Sequence, residues 1–123
     1  MIPENIKKLI TALLQKTNAK EAIWGKTSRD NEFKLIFENG AVTTDQWDTS
    51  IDFAIYNKLG DRIDAYYYNS GGEDFDLLMQ LHSAAKRNFY KVEDTVNGLF
   101  EELNSPKKIG KQELEKPEED LPF

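Results

Sequence analysis

The sequence has no cysteine, a single histidine (His82), and no apolar run of the roughly 18 to 20 residues that a membrane-spanning helix needs. Without cysteine there is no disulfide framework and no thiolate metal site. A small disulfide-free domain fits a reducing compartment, so a cytoplasmic location is expected. The first residues, Met1, Ile2, Pro3 and Glu4, run into an amphipathic segment containing Lys7 and Lys8. They lack the basic start, apolar core and small-residue cleavage site of a signal peptide, so no leader is expected. Positive charge is also scarce. The 16 Lys and Arg face 22 Asp and Glu, a net charge of −6. Residues 1–105 carry 17 acids against 12 bases, and residues 106–123 carry five acids and four lysines. Binding to phosphate backbones draws its energy from neutralised charge and released counterions. An acidic body offers little of either, so direct nucleic-acid binding is not expected.

What is present reads as one α+β domain followed by a tail. At 123 residues the chain is long enough for a single core. Ile6, Leu9, Ile10, Leu13 and Leu14 fall at i, i+3, i+4, i+7 and i+8, one apolar stripe, which predicts a helix over 3–16. Pro3 suits the first turn of that helix, and Glu4 its positive end. From residue 19 to about 69 the period becomes two. Phe33, Leu35 and Phe37 alternate with Glu32, Lys34 and Ile36 ahead of a hairpin signal at Asn39 and Gly40, and 41–46 returns. Ile51, Phe53 and Ile55 begin a second hairpin that turns near 58–61 and returns through Ile63, Ala65 and Tyr67. The expectation is an antiparallel meander of four to five strands with one buried face.

Ser70, Gly71 and Gly72 end the sheet, and Glu73, Asp74 and Asp76 belong in the first turn of a helix. Leu78, Leu81, Ala85, Val92, Val96, Leu99 and Leu103 then follow steps of three, four or seven. They predict one long helix over 73–104, or two with a break near 88–90. The seam is expected to cover the sheet beside the first helix, and a coiled-coil homodimer through it is the alternative. Residues 106–123 hold three of the four prolines and few apolar side chains, and are expected to form a disordered tail. The domain division is therefore 1–105 and 106–123.

Little of this supports catalysis. His82 has no partner in the sequence with which to share a metal. Gly25, Lys26 and Thr27 look like the end of a phosphate-binding loop, but Lys20 stands where the pattern requires its first glycine. Neither Asp45, Asp48 and Asp52 nor Glu73, Asp74 and Asp76 has the spacing of a calcium loop. No catalytic residue, metal ligand or cofactor is expected. Tyr66, Tyr67 and Tyr68 are more informative, because successive strand residues alternate faces. Either Tyr67 is buried and Tyr66 and Tyr68 are exposed, or the reverse. Tyr66 and Tyr68 as an exposed pair would make a second interface, for protein or for stacked bases.

The chain ends Glu118, Glu119, Asp120, Leu121, Pro122, Phe123. This ending resembles the C-terminal tip of bacterial single-stranded DNA-binding proteins, where a run of acids precedes an aliphatic residue, proline and a terminal phenylalanine. The resemblance implies docking on a replication, recombination or repair protein. It covers six residues, and the rest departs from that family, whose members begin with an oligonucleotide-binding barrel and carry a Gly-, Gln- or Pro-rich linker. Docking is what carries over, not DNA binding. The expected function is an adaptor or decoy acting through this tail, as a phage or mobile element would have reason to encode. The alternatives are an acidic immunity- or antitoxin-like protein and an atypical single-strand binder.

Overall fold

The computed structural model describes residues 1–111. Of the expected tail over 106–123, residues 112–123, with the docking residues Glu118 to Phe123, lie outside the described residues. The elements run α1 (Glu4–Asn18), β1 (Gly25–Lys26), β2 (Glu32–Phe37), β3 (Gly40–Trp47), β4 (Ser50–Asn57), β5 (Arg62–Tyr68), α2 (Glu73–Tyr90) and α3 (Val92–Leu103). The chain divides into two compact units, Met1–Val92 and Glu93–Phe123. The sequence reading placed the boundary at residue 105, whereas the compact units divide after Val92.

In the first unit the fold is the α+β arrangement read from the sequence. The five strands pair antiparallel in chain order. Antiparallel partners share a face, so the register assigns every side chain. Phe33, Thr44, Phe53 and Tyr66 form one row facing the helices, and Leu35, Val42, Ile55 and Asp64 form the next. Helix α2 lies across β2, β3 and β4, and α1 packs against α2. Ile10 and Leu13 of α1 and Leu78, Leu81 and Ala85 of α2 close the core over Phe33, Ile51 and Phe53. Gly40 opens β3 opposite Asn57, where a Cβ would run into the Tyr56 carbonyl oxygen.

Helix α1 starts one residue later than expected. Pro3 is its N-cap, with its carbonyl accepting from the Ile6 and Lys7 N–H groups. At the other end the Glu21 N–H bonds the Lys16 carbonyl and the Lys20 N–H bonds the Thr17 carbonyl, at 2.9 and 3.0 Å. That is a Schellman closure, and it holds Lys20 at φ 63°, a conformation that favours glycine. A second left-handed lysine, Lys91 at φ 54°, ends α2. The segment is therefore two helices, the second alternative read from the sequence, with the break at Lys91. Leu78, Leu81 and Ala85 are buried, but no residue of α3 is.

One strand face also differs from expectation. Ile55 pairs with Asp64 while Tyr56 pairs with Arg62, so Ile63 is an extra residue and β5 bulges there. Beyond the bulge, Tyr66 and Tyr68 lie opposite Phe53 and Ile51 on the helix side. They are partly buried against the core. Ile63 and Tyr67, expected to turn inward with Ala65, are exposed.

Candidate interaction surfaces

His82 and Asp74, inside the first unit, are both held by structural partners. His82 is buried between Thr44, whose Oγ1 lies 3.0 Å from Nδ1, and Asn31, whose Oδ1 lies 3.3 Å from Nε2. The Asn31 amide nitrogen donates to the Gln46 carbonyl and side-chain oxygens, which leaves its Oδ1 to accept. Nε2 of His82 therefore carries the hydrogen, and Nδ1 accepts the Thr44 hydroxyl. Desolvation, with Lys86 adding to it, lowers the His82 pKa to about 4. The ring stays neutral near pH 7, and Phe33 packs against it at 5.5 Å between centroids.

Asp74, at the start of α2, gathers three elements. It accepts from the Ile2 N–H at 3.1 Å and the Tyr68 hydroxyl at 3.2 Å, and it pairs with Lys7 at 3.5 Å. These contacts, the Ile2 N–H foremost, hold its pKa below the usual carboxylate range. Glu73 and Asp76 sit in the same first turn, where the macrodipole favours acids. Gly25 and Lys26 form the short edge strand β1, and the Lys26 ammonium donates to the Thr27 and Arg29 carbonyls. Among the described residues no group of three or more His, Asp or Glu is placed to hold a metal ion. No described helix is long and apolar enough to cross a membrane.

The sheet face turned away from the helices is of another kind. Glu32, Asp45, Asp52 and Tyr67 form one row across β2 to β5. Carboxylates directly opposite one another in a sheet repel, and two arginines offset this. Arg29 Nε donates to Asp45 Oδ2 at 2.7 Å and approaches Glu32 at 3.9 Å, while Arg62 donates to Asp52 Oδ2 at 2.9 Å. Asp52 Oδ1 is buried without a hydrogen-bond partner. Asp48, in the two-residue connection between β3 and β4, sits at φ 53° and stands apart from this row.

At the end of the row two aromatic rings lie open. Trp47 and Tyr67 have centroids 5.8 Å apart and are 41% and 56% exposed. The Tyr67 hydroxyl is 3.0 Å from Ser50 Oγ, which itself donates to Asn69, so the ring is tethered at its polar end. A tethered aromatic pair with a free face is a ready anchor for a partner. The expected second interface, Tyr66 and Tyr68, faces the core instead. The Tyr66 hydroxyl is tied to Asp64, which raises its pKa, and Tyr68 is held by Asp74, with burial the larger cause of its raised pKa. Sequence reasoning missed Trp47. Its signal is there in retrospect, because a strand that buries Val42 and Thr44 turns every other residue, Trp47 among them, outward.

The second surface is helix α3. Val96, Leu99, Phe100 and Leu103 stand at i, i+3, i+4 and i+7 and are 38% to 59% exposed. Glu93, Asp94, Glu101 and Glu102 are its charged residues, and the helix contains no Lys or Arg. Compared with models of protein families, with curated proteins and with solved structures, the chain matches none.

Proposed function

We propose that this protein is a non-catalytic adaptor or decoy whose C-terminal residues dock on a bacterial DNA replication or repair protein in the manner of the single-stranded DNA-binding protein. The observation that carries this reading is the run Glu118, Glu119, Asp120, Leu121, Pro122, Phe123. Its chemistry is coherent. Pro122 restricts its own backbone and that of Leu121, which lowers the cost of ordering. The Phe123 ring fills an apolar pocket while its carboxylate meets an Arg or Lys. The three acids steer the segment toward a basic rim. Capture from a bacterial lysate with the full chain, and with the chain lacking these six residues, tests the reading. A genome-maintenance protein is retained by the first and lost from the second, and a free peptide of the single-strand binding protein's own tip displaces it. A partner held equally well after deletion of Phe123 would make the resemblance accidental.

A second reading concerns the body. The exposed Trp47 and Tyr67 on the sheet face turned away from α1 and α2 favour a protein partner for the first unit, as an immunity- or antitoxin-like protein would have. The location in either reading is the cytoplasm.

A further inference from the structure

Helix α3 presents an apolar stripe with nothing buried along it. Val96, Leu99, Phe100 and Leu103 have the spacing by which an amphipathic helix anchors in a groove, and all four are exposed. The remaining surface is acidic, with Asp94, Glu101 and Glu102, and the helix contains no Lys or Arg. On a helical wheel Glu102 flanks the stripe, so a groove that accepts the stripe must accommodate a carboxylate along its rim.

A second copy of the chain fits this poorly. Two α3 helices laid together would set acids against acids. A 12-residue helix, about 18 Å long, also offers a narrow face beside the roughly 800 Å² per partner of a standard interface. Twelve residues with Gly98 in the middle are marginal as a free helix. Burial of the stripe is what would hold such a helix firmly.

We infer that α3 is a second docking element, which seats Val96, Leu99, Phe100 and Leu103 in an apolar groove rimmed by Lys and Arg on the protein that takes the C-terminal tip. The inference rests on the proposed tail docking, since both elements serve one partner. Fourteen residues, 104–117, separate α3 from Glu118. Such a connection spans at most about 50 Å, so two sites on one protein lie within reach, and each raises the effective concentration of the other.

The test uses the full chain and a panel of purified bacterial replication and repair proteins that bind the single-strand binding protein's tip peptide. Affinity is measured for the wild-type chain, for the chain without Phe123, and for Leu99→Glu/Phe100→Glu. Hydrogen exchange of residues 93–103 is followed with and without the partner. Leu99→Ala/Phe100→Ala serves as a second, milder stripe variant, and the melting curve shows that each variant keeps the folded first unit. The expected result is a loss of about tenfold or more for the stripe variants, and protection of 93–103 on binding. Binding by a panel member that is lost without Phe123 but unchanged in both stripe variants, with no added protection, overturns the role of α3 and leaves the tail reading intact. Failure of the whole panel to bind the wild-type chain overturns both. A dimer in sedimentation that the stripe variants dissolve assigns the face to a second copy and overturns the groove.

Discussion

The Thr44 hydroxyl and His82 Nδ1 lie 3.0 Å apart inside the first unit, joining the third strand to α2. The neutral ring is the form this site accepts, with a folded pKa of about 4 against an ordinary 6.5. The unfolded chain therefore binds a proton in a range where the folded chain does not. Stability from this site is fully present above about pH 6.5, falls as the pH drops toward 4, and changes no further below that. The slope is about 1.4 kcal/mol per pH unit in that window. Urea unfolding between pH 7 and 4 measures it. In His82→Gln the slope over this window should flatten, whatever the variant costs at neutral pH.

Asp74 acts in a lower window. Its folded pKa is depressed, with the Ile2 N–H the largest cause, so its contribution is present above 3.8 and is lost as the pH falls through the depressed value. Asp74→Asn should remove this most acidic limb of the stability curve and leave the His82 limb between 6.5 and 4 in place. Two limbs that disappear together would show that the two sites do not titrate separately.

A buried chain of hydrogen bonds ties α1 to Trp24. The Trp24 indole N–H donates to Thr17 Oγ1 at 2.9 Å, and that hydroxyl donates to the Leu13 carbonyl at 2.7 Å. Thr17→Val keeps the shape but leaves the indole N–H buried without an acceptor, which costs about 1 to 3 kcal/mol. Thr17→Ser keeps the acceptor and should cost distinctly less. Equal losses in chemical denaturation would mean that packing of the Thr17 methyl carries the effect.

The elements that packing dictates were legible in the sequence. The stripe of α1, the alternation of Phe33 and Leu35, and the hairpin at Asn39 and Gly40 all announce burial or turning through their own residue types. The inward face of β5 was not legible. Tyr66 and Tyr68 differ from Tyr67 only through the bulge at Ile63, and a bulge is a property of the pairing between two strands. The break after α2 was legible only as a break. It turns on Lys91 adopting a left-handed conformation that its side chain does nothing to advertise. For the same reason the apolar period running through Val96 to Leu103 looked continuous with the core. Of the candidate surfaces, the terminal motif is wholly a sequence observation, whereas the Trp47–Tyr67 pair needed the register.

Lys20 is the other lysine in the left-handed region, at φ 63°, where it closes α1. Its Cβ makes that conformation costly, and glycine has none. Lys20→Gly should therefore stabilise the protein, by about 1 kcal/mol, with the Schellman hydrogen bonds unchanged. Lys20→Ala keeps the Cβ and should give no such gain. The pair of melting curves separates relief of backbone strain from removal of a charge.

The exposed pair Trp47 and Tyr67 lies apart from the core and can be changed without breaking the fold. Trp47→Ala or Tyr67→Ala should cost no more than about 1.5 kcal/mol, the worth of a paired aromatic contact. Phe53→Ala, inside, should cost about 3 to 5. The pair also decides between protein and nucleic acid as the partner of the sheet face. Base stacking on such rings is worth about 1 to 3 kcal/mol per base, but it needs a basic track for the phosphates. Here the adjoining row is Glu32, Asp45 and Asp52, whose arginines are already engaged. Trp47 is exposed while Trp24 is buried, so quenching of the tryptophan emission by added oligonucleotide reports on this face. No quenching is expected at physiological salt. Submicromolar quenching that disappears in Tyr67→Ala would make the face a single-strand platform, in favour of the atypical single-strand binder.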